Sequence, residues 1–389
     1  MRPRILPVVR TSGSRRRHEQ LSPPRSSEHP FDGPCSGILT CSLPDPTPDT
    51  FKGPSHPPFL PMTSEVSEGL PPLVRPPALQ KGDAIGVVAP SYSPREGWLM
   101  RGVKALERAG YPVLLDPEIN EIRRFQRRED ERRAENFTGM WLDPRVKAVI
   151  GGTGGYGAVR MLPHLDPEVF RRNPKPFVGY SDITALHLWL MRRAGLRVFH
   201  GPTVDDLIPS TRDPTLAGLI QALTTPRPSS RIGRGMARAT RPGRAVGRLI
   251  GGNLSLVQQT IGTPYEVDTR DAILFLEETR DPMSVTDERL VHLRAAGLLR
   301  HVRGIVFGQL SIDRSEEDEF EDFLLDLVAD LNVPVLMDFP AGHEVPNLTL
   351  PLGTDVELVV EENTGWLSYR EDALEASEAT SPLLVGAAP

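Results

Sequence analysis

The chain has 389 residues, 39% hydrophobic and 25% charged, enough for two moderate cores because domains usually run about 100–200 residues. A net charge of −6 argues against a nucleic-acid partner held by phosphate contacts, which calls for a basic face, and no run approaches the roughly 20 apolar residues of a membrane span. Both cysteines, Cys35 and Cys41, precede the patterned part of the chain, which therefore has no internal disulfide or cysteine-based metal site and suits a reducing cytoplasm.

The first 80 residues hold 17 of the 40 prolines and little apolar period, so residues 1–75 are expected to be a disordered tail. Seven arginines fall in the first 25 residues against one acidic residue, yet no apolar stretch follows Arg15–Arg17 and a secretory signal is unsupported. Met62, which leads within twenty residues into the regular pattern, is the expected translation start. From Asp83, short apolar runs alternate with helical stretches: strands at 84–89, 112–115, 146–150, 176–180 and 197–200, helices at 96–109, 132–141 and 183–193. Residues 76–208 thus read as an α/β domain with a largely parallel sheet flanked by helices. The Arg/Pro/Ser/Thr-rich stretch 209–242, with one helical pattern at 216–223, reads as an interdomain connection. A second, mixed α/β domain is expected over 243–375. It carries helices at 254–261, 284–296 and 317–331 and strands at 272–276, 304–309, 334–339, 355–360 and 366–369, before a disordered end at 376–389.

The most informative segment is Lys175-Pro-Phe-Val-Gly-Tyr-Ser-Asp-Ile-Thr184, where a strand pattern breaks at Gly-x-Ser and continues as a helix pattern. A serine on such a corner points its hydroxyl out of the sheet, and the N–H of the next residue, Asp182, faces an oxyanion. The nucleophile-elbow signature has a second glycine where this chain has Ile183, and Gly-x-Ser-Asp is also a common helix N-cap. Two further polar residues end apolar runs: Glu277 after Ala272–Leu276, and His343 after Pro334–Gly342. A hydroxyl is a weak nucleophile and needs an imidazole to take its proton and a carboxylate to orient that imidazole, so all three residue types are present. Gly151-Gly-Thr-Gly-Gly-Tyr-Gly157, between a strand and a helix pattern, offers backbone donors for an oxyanion. Ligands of parallel sheets sit beyond the carboxyl ends of the strands, where Ser91, the glycine-rich loop and Ser181 all fall.

These blocks, together with Lys81–Pro90, Leu162-Pro-His-Leu-Asp166, Phe199-His-Gly-Pro202, Gly251-Gly-Asn-Leu-Ser255, Phe275-Leu-Glu-Glu278 and Gly342-His-Glu-Val-Pro-Asn347, resemble the LD-carboxypeptidase family of serine peptidases. That family includes muramoyl-tetrapeptide carboxypeptidases and microcin C self-immunity peptidases. The resemblance runs from Lys81 to about Leu358. It implies Ser181 as nucleophile, His343 as general base, Glu277 as its carboxylate, and an active site where the two domains meet. Backbone N–H groups of Asp182 and of Gly155 or Gly154 would hold the oxyanion, while Tyr156, Asn253 and Ser255 would line the substrate cleft. Glu278 is the alternative to Glu277, because the family often has Glu-Asp at this pair. The family's peptidoglycan enzymes commonly carry arginine before Gly-Gly-Tyr-Gly, and this chain has Thr153. A neutral hydroxyl there predicts a weaker preference for a substrate's terminal carboxylate, unless another cation replaces the arginine.

Competing readings are weaker. The glycine-rich loop lacks the Gly-x-x-x-x-Gly-Lys spacing of a nucleotide-binding loop, and no His-Glu-x-x-His motif signals zinc. His200 is a rival base, though a strand-ending histidine is more often structural, and the acidic run 316–322 reads as a solvated helix face. The expected function is hydrolysis of an amide next to a free C-terminus, releasing D-alanine from muropeptide tetrapeptides in the cytoplasm without metal or cofactor. The expected partners are a small peptide or muropeptide substrate and a second copy of the chain in a homodimer, with neither nucleic acid nor membrane. The alternatives are a peptidyl- or aminoacyl-nucleotide amidase and a non-enzymatic small-ligand binding protein.

Overall fold

Five short apolar runs in the N-terminal half form strands, each followed by helix. β1 (Ala84–Val88) leads to α1 (Glu96–Arg108), β2 (Val113–Leu115) to α2 (Arg127–Leu142), and β3 (Val146–Gly151) to α3 (Ala158–Met161) and α4 (Pro167–Arg172). β4 (Phe177–Gly179) leads to α5 (Thr184–Trp189), and β5 (Val198–His200) to α6 (Thr215–Thr224). The second half begins with β6 (Arg238–Arg241), β7 (Gly243–Asn253), α7 (Leu254–Gln259), β8 (Ala272–Thr279) and α8 (Met283–Ala295). It continues with β9 (Gly304–Ser311), α9 (Glu317–Leu327), β10 (Val335–Met337), β11 (Leu350–Leu352), β12 (Asp355–Glu361) and β13 (Thr364–Tyr369). This computed structural model describes residues 73–121, 127–208, 213–229, 231–311 and 317–376. The proline-rich tail up to residue 72, with both cysteines and Met62, lies outside the described residues, as do residues 377–389.

The protein is a mixed α/β fold with two sheets. The first has the order β11-β5-β4-β3-β1-β2, with β1 to β5 all parallel to their neighbours and β11 antiparallel on the edge. Buried on both faces, its strands alternate between two cores. Val149, Phe177 and Val198 face one, while Ile150, Val178 and Phe199 face the other beneath α1 and α6. The first of these cores is continuous with the second sheet through Leu249, Leu274 and Phe275. The second sheet has the order β13-β12-β7-β8-β9-β10-β6. Its centre, β7 to β10, is parallel, and its outer pairs β6–β10, β7–β12 and β12–β13 are antiparallel.

Three strands depart from the expected elements. The stretch read as a connection contains β6, an edge strand of the second sheet, and α6, whose Leu219 and Leu223 are fully buried beneath the first. β7 is eleven residues long although its first half is Gly- and Arg-rich, because β8 and β12 supply its hydrogen bonds from both sides. β11 contains Pro351 and pairs on one side only, which is where a strand tolerates a residue without an N–H. The helix expected over 183–193 is a 3-10 turn at Ser181–Ile183, then α5, then a π-helical turn at Leu190–Ala194.

Candidate active site

Ser181 follows β4 and has φ 60°, a left-handed conformation uncommon for a residue with a side chain. Holding it there costs about 1–3 kcal/mol. The neighbouring Asp182 carboxylate anchors this corner. It is 2% exposed and accepts hydrogen bonds from Ser91 Oγ at 2.6 Å and Ala158 N at 2.8 Å. Burial raises the Asp182 pKa, while Ser91, the Ala158 and Gly157 N–H groups and the Arg133 charge oppose that rise. The same two bonds tie the segments after β1 and β3 to the serine corner.

Ile183, which stands where an elbow's second glycine is expected, fits because the residues opposite it are glycines. A Cβ on Gly151 would lie 2.2 Å from Ile183 Cδ1, and one on Gly179 would lie 2.6 Å from it. Gly154 sits beside the serine: a Cβ there would be 3.0 Å from Ser181 Cβ. The main chain of the glycine-rich loop therefore runs directly past the hydroxyl.

The other two residues arrive from the second half. Glu277 is near the end of β8 and fully buried. His343 lies between β10 in one sheet and β11 in the other, so its loop is anchored at both ends. Its Nδ1 is 2.7 Å from Glu277 Oε2 and its Nε2 is 3.1 Å from Ser181 Oγ. Burial alone would lower the His343 pKa. The hydrogen bond and charge of Glu277, with the charges of Glu278 and Asp206, outweigh this and hold it above the ordinary imidazole value. The Glu277 carboxyl is itself raised, because its complete burial exceeds the help from His343. Tyr180 packs its ring edge-on against the imidazole at 4.8 Å, and its hydroxyl is 3.3 Å from Asp206 Oδ1.

Successive strand residues face opposite ways, and this separates the two glutamates. Glu278 turns from the imidazole and accepts from Asn253 Nδ2 at 3.0 Å, Ser255 N at 3.0 Å, Ser255 Oγ and Arg289 Nη1 at 3.2 Å. Asn253 also caps α7 through Leu256 N, and its own N–H donates to Thr184 Oγ1 at 3.1 Å. Gly252 permits that approach: its φ is 137° and a Cβ would lie 2.7 Å from Thr184 Cγ2. Asn253 and Ser255, expected on the cleft wall, are thus engaged with Glu278 and do not line the cavity. Tyr156 is 42% exposed and also outside that lining. His200 is fully buried between Tyr180 and Phe275, with its pKa driven well down by burial, and belongs to the core.

Ser181 and His343 open into a cleft of about 920 Å³, bordered by Tyr92, Thr153–Gly155, Asp205, Asp206, Arg280 and Glu344 among others. The carboxylates and arginines on this wall escaped the sequence reading. None carries a motif, and only their arrival at loop ends beyond the strands marks them. Among the described residues, no group of three or more His, Cys, Asp or Glu is placed to hold a metal ion, and no helix is long and apolar enough to cross a membrane.

The fold and the cleft define a class: two-sheet α/β proteins with serine, histidine and carboxylate in one hydrogen-bonded series. The chain belongs to the LD-carboxypeptidase family, whose N-terminal domain matches residues 85–201 and whose C-terminal domain matches residues 246–358. It is 32% identical to the "Probable murein peptide carboxypeptidase" of Bacillus subtilis over 75% of this chain and 93% of that one. The microcin C7 self-immunity protein MccF of Escherichia coli is 26% identical over 77% of this chain and 96% of its own. A solved MccF structure superposes with a TM-score of 0.70 at 25% identity over 77% of this chain and 99% of that one. The crystal structure of muramoyltetrapeptide carboxypeptidase from Oxalobacter formigenes is similar with a TM-score of 0.64 and 27% identity, covering 74% of this chain and 98% of that one.

Proposed function

We propose that this protein is a serine LD-carboxypeptidase that releases the terminal D-alanine of muropeptide tetrapeptides in the cytoplasm. The observation that carries the reading is the unbroken series Glu277–His343–Ser181 opening into a cleft of about 920 Å³, within the range of small-ligand sites. Ser181 Oγ attacks the carbonyl next to the terminal residue while His343 Nε2 takes its proton. The N–H groups of Asp182 and of Gly154 or Gly155 hold the developing oxyanion. His343 then gives the proton to the leaving amine, and Glu277 stabilises the imidazolium. Water repeats the cycle on the acyl-enzyme. Similarity to a murein peptide carboxypeptidase supports this substrate class; similarity to MccF supports a second reading, an aminoacyl- or peptidyl-nucleotide amidase. Incubation with murein tetrapeptide and with an aminoacyl sulfamoyl adenosine, followed by mass spectrometry, separates them. Release of D-alanine from the first and no cleavage of the second is the expected result; the reverse overturns the muropeptide assignment.

Two further outcomes follow. A base must be neutral to accept a proton, so kcat/KM rises as pH climbs through the His343 pKa. Because Glu277 raises that pKa, the acid limb should lie above the ordinary imidazole value of about 6.5, and Glu277→Gln should move it to lower pH. A limb unaffected by Glu277→Gln would assign the titration elsewhere. In addition, the nucleophile is a side chain and not a bound water, so EDTA should leave kcat unchanged. Loss on chelation, restored by zinc, would replace the serine mechanism with a metallopeptidase.

A further inference from the structure

Given the serine carboxypeptidase reading, on which this rests, we infer that Arg280 recognises the substrate's terminal carboxylate and so replaces the cation that Thr153 lacks. Arg280 directly follows β8 and lines the cleft with Ser181 and His343. Its side chain is exposed, and among the described residues its guanidinium has no hydrogen-bond or ion-pair partner. The carboxylates beside it in sequence are engaged: Glu278 and Asp281 both pair with Arg289. A long charged side chain in the cleft lining thus has no partner among the described residues. Its φ of 63° is a conformation that favours glycine, so the arginine stands at a position where backbone geometry alone would select against it.

The chemistry dictates where a carboxylate-reading cation must lie. His343 protonates the departing amine, so the leaving residue sits on the histidine's side of the cleft, and its carboxylate is one carbon from that nitrogen. β8 supplies Glu277, which holds His343, and Arg280 stands three residues further on, just past the strand's last residue. Arg95, the other arginine in the cleft lining, stands on the segment after β1, in the half of the chain that carries the nucleophile and the glycine-rich loop. Thr153 also lies in this lining but offers one neutral hydrogen bond, whereas a guanidinium grips a carboxylate with two charge-assisted ones. The cleft further contains Asp205, Asp206 and Glu344, which would repel an incoming anion unless a cation offset them. Arg280 is then the replacing cation that the expectation drawn from Thr153 left open.

The test measures kcat and KM for a murein tetrapeptide ending in D-alanine and for its C-terminal amide, in the natural protein, Arg280→Ala and Arg280→Lys. The natural protein should prefer the acid at least tenfold, about 1.4 kcal/mol, mainly through KM. Arg280→Ala should reduce the preference to within about threefold, mainly by raising KM for the acid, and Arg280→Lys should recover part of it. Retained hydrolysis with undiminished discrimination in Arg280→Ala overturns the assignment of Arg280 alone. Absence of turnover of either substrate by the natural protein overturns the carboxypeptidase reading and this assignment with it.

Discussion

Replacing Ser181 by alanine is expected to lower kcat by about 10³-fold or more, roughly 4 kcal/mol of transition-state stabilisation, and His343→Ala by a similar factor. Triad members act as a unit, so losing either the nucleophile or its base removes most of the shared effect. The two variants differ in what they leave behind. Ser181→Ala keeps the Cβ at the left-handed corner and deletes only the hydroxyl that faces His343 Nε2. His343→Ala leaves Glu277 fully buried without its imidazole. The carboxyl, already raised above its ordinary value by burial, should then take up a proton instead of remaining an unpaired buried anion. Circular dichroism and thermal melting should accordingly show Ser181→Ala unchanged and His343→Ala folded with a lower Tm. Substantial hydrolysis by folded Ser181→Ala would remove the covalent mechanism.

The second large effect discriminates between adjacent glutamates. Glu277→Gln should lower kcat by about 10²–10⁴-fold, because an uncharged amide can present its NH₂ to His343 Nδ1 and favour the wrong tautomer, and cannot stabilise the imidazolium. Glu278→Gln should change kcat less than about tenfold. Its cost falls on stability, since the carboxylate that gathers Asn253, Ser255 and Arg289 loses its charge at a buried position. A hydrogen bond to a charged group is worth about 1.5–3 kcal/mol, so Tm should drop by several degrees. Kinetics and melting on the same preparations read both effects. A Glu278→Gln variant more catalytically impaired than Glu277→Gln would move the triad carboxylate by one position.

That β1 to β5 are strands was legible because each is an apolar run followed by a helix-period stretch. The corner at Ser181 was legible because Gly179 precedes a helix pattern at fixed spacing. β6, β7 and β11 were not, for reasons that lie outside their own residues. Arg238–Arg241 and Leu350–Leu352 have little strand character alone and exist as strands because β10 and β5 present unpaired edges to them. The glycine-rich end of β7 reads locally as a turn. It remains strand because Gly251 and Gly252 let its backbone press against Phe275 and Thr184, where any side chain would collide.

Within the site, residue identity and order along the chain were determined by the sequence: a serine after a strand, a glutamate ending one, a histidine after another, and a glycine loop positioned to donate N–H groups. The pairing was decided by the tertiary structure. Glu277 and Glu278 are indistinguishable as residues, and only the pleat of β8 sends one to His343 and the other to Arg289. Asn253 and Ser255 have the chemistry of substrate ligands, yet the capping of α7 turns them to Glu278. Ser181 and His343 are 162 residues apart and meet at 3.1 Å because β11 carries the C-terminal half back to the edge of the first sheet. Contacts at such separation depend on which sheet edges are free and which faces are apolar at once, a property of the whole packed chain and not of any segment.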